Sequence, residues 1–177
     1  NFYGNFSISS NMLKTSFNKK SMNQSDSFEK MKENLKIISL RLINRKGISN
    51  IQFDDQGFPI GFGKNSQEVL IPSFISAYTG TDVQDVGLNP ISDRPKINWS
   101  VQYDGLSEAF KDIFSRISLR HSYRSNFTIN NFQSNLNYNE NSFNVSGNYE
   151  SKMFFSNINL VEQFNPLIRL DLELKNS

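Results

Sequence analysis

The sequence predicts a mainly β protein in which antiparallel meander strands form part of a very large transmembrane β-barrel and carry an α-helical and loop insertion. The first observation is an unbroken alternation of polar and apolar side chains across residues 116–124. The same alternation returns in residues 97–103 and 168–174. Because successive side chains of a strand point to opposite sides, each stretch has one apolar and one polar face. Such strands suit a barrel wall between lipid and an aqueous lumen.

We predict that the apolar positions of these three stretches face lipid. They are Ile97, Trp99, Val101, Tyr103, Ile117, Leu119, Tyr123, Ile168, Leu170, Leu172 and Leu174. The polar positions of the middle stretch, predicted to face the lumen, are Arg116, Ser118, Arg120, Ser122 and Arg124. The sequence leaves two interpretations of the three arginines open. They form ion pairs with acidic residues of neighbouring strands, or they give the lumen a basic lining.

The composition favours strands over helices as any membrane-crossing element. The mean hydropathy is -0.51, and the absence of a run of about 18 apolar residues excludes a transmembrane helix. Sixteen Phe and six Tyr beside a single Trp suit the aromatic girdles of a barrel. The formal net charge of +2, with scattered cations, gives no indication of a nucleic-acid partner.

The sequence offers no catalytic or metal-binding constellation, so we predict neither an enzyme nor a cofactor. It has no cysteine and a single histidine, His121, which excludes a catalytic triad or a histidine-cluster metal site inside this chain. The GFGK run at residues 61–64 lacks the spacing and the Lys-Ser/Thr ending of a phosphate loop. The aspartates within residues 54–85 lack the spaced oxygen ligands of a dedicated calcium loop.

Residues 1–17 are predicted as the first barrel strand, because polar and apolar positions alternate from the first residues onward. The chain begins inside that alternation and stops directly after the alternation of residues 168–174. We therefore expect it to be an internal piece of a longer polypeptide.

Residues 18–95 are predicted as a helix-and-loop insertion that forms a cap or loop region. A helix begins with Asp26 as N-cap and Glu29 three residues later, and Gly47 closes it. Its apolar positions form one stripe and are Phe28, Met31, Leu35, Ile38 and Leu42. A second short helix at 73–79 follows a proline and ends at a glycine.

Residues 96–177 are predicted as consecutive antiparallel barrel strands with a short helix at 106–114. Short Asn- and Ser-rich connections separate the alternating pieces, as hairpins require. The predicted strands are 97–103, 116–129, 132–138, 143–149, 153–160 and 167–174. Their sequential order predicts a meander.

Three segments resemble blocks of the SprA/Sov family, the very large outer-membrane translocons of the type 9 secretion system. They are GFGKNSQEVLIPSFISAYTG at residues 61–80, Pro95 followed by NWSVQYDGL at residues 98–106, and HSYRS at residues 121–125. The helix around residues 28–42 and the run NPLI at 165–168 also fit, in the expected order. Residues 94–97 depart from the more proline-rich approach to the tryptophan that the family leads us to expect.

The resemblance implies a segment of a single-chain barrel that exports folded proteins, including gliding motility adhesins, across the outer membrane of a Gram-negative bacterium. The implied partners are the remainder of the same barrel polypeptide, a PorV-like outer-membrane shuttle barrel, a periplasmic plug protein, secreted cargo with a C-terminal targeting domain, and the lipid bilayer. The insertion is expected on the extracellular side, because outer-membrane barrels keep short turns on the periplasmic side.

Two other interpretations fit the alternation. The chain would be a fragment of another outer-membrane barrel transporter, or a soluble β-rich surface adhesin domain whose apolar faces pack on each other. Dependence on detergent distinguishes the adhesin from both barrels. A second barrel protein that co-purifies with the full-length chain distinguishes the secretion channel from the transporter.

Overall fold

The computed structural model describes residues 2–21, 24–92 and 94–175, and it is mainly β, with one antiparallel sheet of five strands that does not close into a barrel. The strands are β1 (Tyr3–Ser9), β2 (Lys20–Ser21), β3 (Gln24–Ser25), β4 (Trp99–Tyr103), β5 (Phe114–Ser134), β6 (Met153–Phe164) and β7 (Arg169–Leu174). The helices are α1 (Asp26–Arg45), α2 (Gln67–Thr79) and α3 (Leu106–Ala109), with a 3-10 turn at Pro90–Ser92. β2 and β3 form a separate small hairpin.

The sheet is organised around β5, which has 21 residues and pairs with every other strand of the sheet. Its first half pairs with β4 on one edge and β7 on the other. Its second half pairs with β1 on the same edge as β4, and with β6 on the same edge as β7. The sheet therefore has three rows, and each outer row consists of two collinear strands.

The insertion interrupts one of these outer rows. β1 ends opposite Asn126, β4 begins opposite Tyr123, and both run antiparallel to β5. The chain thus leaves the row after Ser9, builds both long helices, and returns to the same row at Trp99. The first predicted strand is therefore shorter than expected, because the chain turns away from the sheet after Ser9. Asn1 lies outside the described residues, as do residues 22, 23, 93, 176 and 177.

The helix α1 buries Ile38 and Leu42 of the predicted apolar stripe but leaves Phe28 half exposed, and Asp26 is not its N-cap. Ser25 is the N-cap, and its side chain accepts a hydrogen bond from the backbone N–H of Phe28 at 3.3 Å. Asp26 instead lies in the first turn, where a carboxylate complements the helix dipole. Gly47 adopts the left-handed conformation, with φ of 76° just beyond the C-cap, as its identity predicts.

The helix α2 begins at Gln67, several residues before the predicted start. Pro72 lies inside it, although proline removes one helical hydrogen bond. The segment is nevertheless well packed, since Val69, Ile71 and Ile75 are buried in the core. Burial of this apolar segment outweighs the lost hydrogen bond. Gly80 ends the helix in the left-handed conformation.

Three details of the strand prediction are wrong. The predicted strands at 116–129 and 132–138 belong to one strand, because Asn131 (φ 53°) forms a bulge that keeps the pairing going. Residues 143–149 form a turn closed by a single bridge between Phe143 and Tyr149. The last strand pairs with β5 and not with β6. The strands are therefore arranged in three rows and do not form the predicted meander.

The hydrophobic core lies between the helices and one face of the second half of β5. Phe127, Ile129 and Phe132 provide the sheet side of this core. The helix and loop side is formed by Ile38, Leu42, Ile43, Phe62, Val69, Ile71, Ile75 and Val86. Phe6 and Ile8 of β1, and Ile158 and Leu160 of β6, pack at its margin because the strand register places them beside Ile129 and Phe127.

Candidate functional site

One continuous apolar face of β5 passes through two different environments. No register shift occurs between Arg116 and Ile129, so the odd-numbered residues of this stretch all point to the same side. From Ser125 onward this face is covered by the insertion. Before Tyr123 the insertion does not cover it, and the apolar side chains of the neighbouring strands are exposed. We call this uncovered region of β4, the first half of β5, and β7 the bare face.

The bare face carries a row of exposed aliphatic and aromatic side chains across three strands. Its members on the outer strands are between 52% and 64% exposed: Val101, Tyr103, Leu170, Leu172 and Leu174. Strand pairing places Tyr103 and Leu170 on either side of Leu119. Ile97 and Ile168, beside the strand ends, are more exposed still. A contiguous apolar surface of this kind marks contact with a partner or a membrane.

An aromatic cluster lies at the boundary between the covered and the bare part of the face. The ring of Tyr123 stacks on Trp99, with ring centroids 4.5 Å apart, and contacts Phe164 at 5.2 Å. His121 lies 6.1 Å from both Trp99 and Phe164. Its Nδ1 hydrogen-bonds the backbone carbonyl of Leu167 at 2.5 Å. We call these four residues the aromatic belt.

The first part of the insertion crosses the sheet at the height of this belt. The backbone N–H of Met12 donates to the hydroxyl of Tyr123 at 2.7 Å. The hydroxyl of Ser16 donates to Glu162 Oε1 at 2.6 Å, and Phe17 stacks on Phe164 with centroids 5.9 Å apart. Since β1 and β6 lie on opposite edges of β5, the chain passes over the whole width of the sheet here. We call residues 11–20 the crossing segment.

Two residues that the alternation predicts to face lipid are buried within the chain. Tyr123 has no exposed surface because Trp99, Phe164 and the crossing segment surround it. Ile117 is 4% exposed and lies beside α3, where the hydroxyl of Ser107 bonds both its backbone N–H and its carbonyl. The other positions of that set keep at least part of their surface. That they face lipid stays a prediction.

The opposite face of the same strands is polar and carries charges of both signs. Arg116, Ser118, Arg120, Ser122 and Arg124 alternate with the apolar row, and Ser118 is fully buried. Asp171 pairs with Arg120 at 3.9 Å and with Arg169 at 2.9 Å. Arg116 lies opposite Glu173 in the strand register. Arg120 therefore fits the interpretation in which the arginines form ion pairs with acidic residues of neighbouring strands.

Both outer rows present an unpaired strand edge within the described residues. Gln67 covers a short part of one edge, because its side-chain amide donates to the carbonyl of Met153 and accepts from the N–H of Phe155 at 3.4 Å. No other strand of the described chain lies along the rest of β6 or along β7. Open edges of this length are templates for pairing with further strands.

A cavity of about 430 Å³ lies away from the bare face, between the end of α1, the start of α2 and the loop before β6. Glu68 lines it, and burial raises the pKa of this carboxyl above its ordinary value, although Arg45 and Lys46 act in the opposite direction. Lys46 Nζ donates to the carbonyl of Glu140 at 2.6 Å and lies over the ring of Tyr149. Burial therefore disfavours the charged form of Glu68 in this cavity, and Lys46 already contacts Glu140 and Tyr149.

The crossing segment was not predicted from the sequence, and neither were Phe164 and Glu162, two of the residues that hold it. Residues 9–11 read Ser-Ser-Asn, a polar run that indicates a turn and would have ended the first strand there. Phe164 is the last residue of β6, and the alternation of this strand is visible in the sequence. Nothing in the sequence places Glu162 beside Ser16, because that contact spans most of the chain.

We predict that Tyr123→Phe loosens the crossing segment while the belt stays packed. The variant keeps the aromatic ring and removes the oxygen that accepts from Met12, and a backbone N–H left without a partner costs about 1–3 kcal/mol. Amide hydrogen exchange at Met12 should accelerate about tenfold or more. Tyr3→Phe, at an exposed ring, is the control and should leave that exchange rate unchanged. Equal exchange in parent and Tyr123→Phe would contradict the anchoring role.

We predict that Glu68→Gln stabilises the protein at neutral pH and has little effect in acid. Because the folded-state pKa of Glu68 is raised, its favourable contribution is complete below the ordinary value of 4.5 and is lost as the pH rises through the folded-state pKa. Gln has no charge to desolvate, so it avoids this loss. The measurement is the thermal unfolding midpoint of both proteins over a pH series. A difference that is constant with pH would show that the Glu68 carboxyl is not the cause.

Within the described part of the chain, no helix is both long and apolar enough to cross a membrane. Comparison with known proteins found no family model and no curated protein that matches this chain.

Proposed function

We propose that this chain is a segment of the outer-membrane protein-conducting channel of the type 9 secretion system, as in the SprA/Sov family that its sequence resembles. The bare face is the lipid-facing part of the barrel wall, and the polar face of the same strands lines the lumen. The observation that carries the proposal is the division of β5 into a covered half and a bare half at the aromatic belt.

The length of the bare half supports a membrane crossing. Residues 114–123 run from the start of β5 through the belt, which is ten residues, and a tilted barrel strand needs about 9–11 residues to cross the hydrocarbon layer. The whole strand would extend about 70 Å at roughly 3.3 Å per residue, far more than a bilayer requires. The covered half then lies outside the membrane, where the insertion supplies the apolar neighbour that lipid supplies to the bare half.

The position of the aromatic belt supports the same arrangement. Transmembrane barrels place aromatic residues where the hydrocarbon layer meets the headgroups, because an amphipathic ring is stable there. Trp99, His121, Tyr123 and Phe164 lie where the bare face ends and the polar and helical part begins. Two of the segments that resemble the SprA/Sov family also lie at or next to the level of the aromatic belt. Residues 98–106 include β4, and residues 121–125 form the middle of β5.

The open edges support membership in a larger wall. A strand edge without partners has no stable place in a membrane, so every membrane-spanning strand must pair on both sides. The rows β1–β4 and β6–β7 pair only with β5 within the described residues. In the proposed channel the remainder of the barrel polypeptide supplies their second neighbours.

In the proposed mechanism the wall is passive and makes or breaks no bond. The lumen face is hydrophilic, with Asn126, Thr128 and Asn130 along the second half of β5, and with arginines along the first half that lie beside Asp171 and Glu173 of β7. Folded cargo with a C-terminal targeting domain, including gliding motility adhesins, passes through the pore. The shuttle barrel and the periplasmic plug close it.

The insertion lies on the outer side of this wall and not across the pore. α1 and α2 pack on the apolar face of β5, which is the face that turns to lipid lower down. A segment on that face cannot enter the lumen. The predicted cap is thus a support on the outside of the barrel above the membrane, and the ten residues between β4 and β5 form the short turn expected at the opposite, periplasmic end.

We predict that Leu119→Arg impairs assembly in the membrane, whereas Arg120→Leu does not. An arginine on the lipid face near mid-bilayer costs about 2–4 kcal/mol. Arg120 points to the opposite face, and Asp171 keeps Arg169 as a partner when Arg120 is replaced. The measurement is the fraction of protein that becomes protease-resistant after folding into lipid vesicles. Equal tolerance of both substitutions would contradict the assigned faces.

A separate experiment tests the secretion role. The full-length protein purified in detergent should carry a second barrel protein, and its depletion from cells should stop cargo with a C-terminal targeting domain from reaching the medium. The amounts of unrelated outer-membrane barrels are the control and should not change. The interpretation as a fragment of another outer-membrane barrel transporter would be favoured if the protein purifies without a second barrel and its loss leaves export intact.

A further inference from the structure

The crossing segment is the part of the insertion nearest to the bare face. It is fixed to the aromatic belt through Met12 and Phe17, and the helices lie on the far side of it, over residues 127–132 of β5. If the bare face is in the hydrocarbon layer, the first part of the insertion that meets the lipid headgroups is this segment. The inference therefore rests on the proposed function.

The exposed side of the crossing segment combines apolar and cationic side chains. Phe17 is 75% exposed and Leu13 is 37% exposed, although both belong to a segment with a largely polar composition. Lys14, Lys19 and Lys20 are also exposed. Large apolar side chains beside lysines are typical of segments that lie in the interface of a membrane, where the apolar groups enter the acyl boundary and the cations meet phosphates.

Two of these lysines are available for an anionic ligand. Neither Lys19 nor Lys20 forms an ion pair with a carboxylate of the described residues, whereas Lys14 Nζ lies 3.5 Å from the carbonyl of Gly80. The nearby acidic groups have other partners: Asp26 accepts from the backbone N–H of Lys19, and Glu162 accepts from Ser16.

The segment is also held in one conformation before any lipid binds. Turn hydrogen bonds run from the N–H of Thr15 to the carbonyl of Met12 at 2.8 Å and from the N–H of Asn18 to the carbonyl of Thr15 at 3.0 Å. The hydroxyl of Thr15 donates to the carbonyl of Tyr78 at the end of α2. Contacts with lipid therefore need little additional ordering of the chain.

We propose that the crossing segment is a lipid-docking surface, in which Leu13 and Phe17 enter the upper acyl layer and Lys19 and Lys20 bind the phosphates of anionic lipids. The surface fixes the height of the barrel wall in the membrane at its outer side. The occupant is the lipid headgroup layer and not a soluble partner, because the segment continues the bare face without a gap.

Depth measurement with single-cysteine variants tests this placement, and the absence of cysteine from the sequence lets each variant take one label. The full-length barrel polypeptide, with any cysteine outside the given sequence replaced, is reconstituted in vesicles with a fluorophore at Leu13→Cys, and quenching by lipids with a nitroxide near the headgroup is recorded. Val161→Cys is the matched control, because Val161 is exposed on the opposite face just above the belt. Leu172→Cys reports independently on the bare face.

The proposal expects several-fold stronger quenching at residue 13 than at residue 161, with residue 172 quenched by nitroxides deeper in the acyl chain. If residue 172 is in lipid and residue 13 is as weakly quenched as residue 161, the docking surface is wrong and the proposed function survives. If residue 172 is also unquenched, the membrane location of the bare face is wrong, and the docking surface with it.

The choice of lipid tests the role of the lysines. Quenching at residue 13 is compared between nitroxide-labelled phosphatidylglycerol and phosphatidylcholine, and the ratio gives the preference for the anionic lipid. This preference should fall roughly fivefold for each lysine removed in Lys19→Gln and Lys20→Gln. Lys30→Gln and Lys32→Gln, on the exposed side of α1, are the controls and should keep the parent ratio. An unchanged ratio in the Lys19 and Lys20 variants would refute the phosphate contact.

Discussion

The structure depends on one constraint: the side chains of β5 alternate without a register shift from Arg116 to Ile129, and strands pair with both edges of β5 over most of its length from Leu119 onward. Pairing on both edges fixes the direction of every side chain, so the strand cannot rotate to hide an apolar residue. One side is therefore mainly apolar from Ile117 to Ile129, with His121 and Ser125 as its polar members. This side needs an apolar neighbour everywhere, and the insertion provides one only beyond the belt.

Alternation predicts the faces of β5 from sequence, but it does not predict what covers them. Leu119 and Phe127 look alike in the sequence, and yet Phe127 is packed under helices while Leu119 lies between half-exposed strands. The difference arises from contacts between parts of the chain that are far apart in sequence. The helix α1 was predictable because its apolar spacing is local, although the N-cap is Ser25 and not the predicted Asp26. The bulge at Asn131 and the path of the crossing segment are set by tertiary contacts.

The charges on the polar face bear on what such a wall does to a passing protein. A row of unpaired arginines would retain acidic surfaces and repel basic ones. Asp171 instead lies between Arg120 and Arg169, and Glu173 is opposite Arg116, so the local field is reduced. In the proposed channel, this part of the lumen surface would be hydrophilic without a strong preference for one sign of charge, which would suit the export of cargo proteins that differ in their surfaces.

In the proposed channel, the arrangement also limits how far the wall can move along the membrane normal. A shift of two residues, about 6.6 Å, toward the hydrocarbon would bring Glu162 and the lysines of the crossing segment into the apolar layer. The opposite shift would move Val101, which lies opposite His121 in the strand register, out of the hydrocarbon. Both displacements would move the aromatic side chains of the belt away from the membrane interface, where such rings are stable. The insertion therefore does more than complete a core, because it ends the apolar face at a defined height and places charged and aromatic residues there.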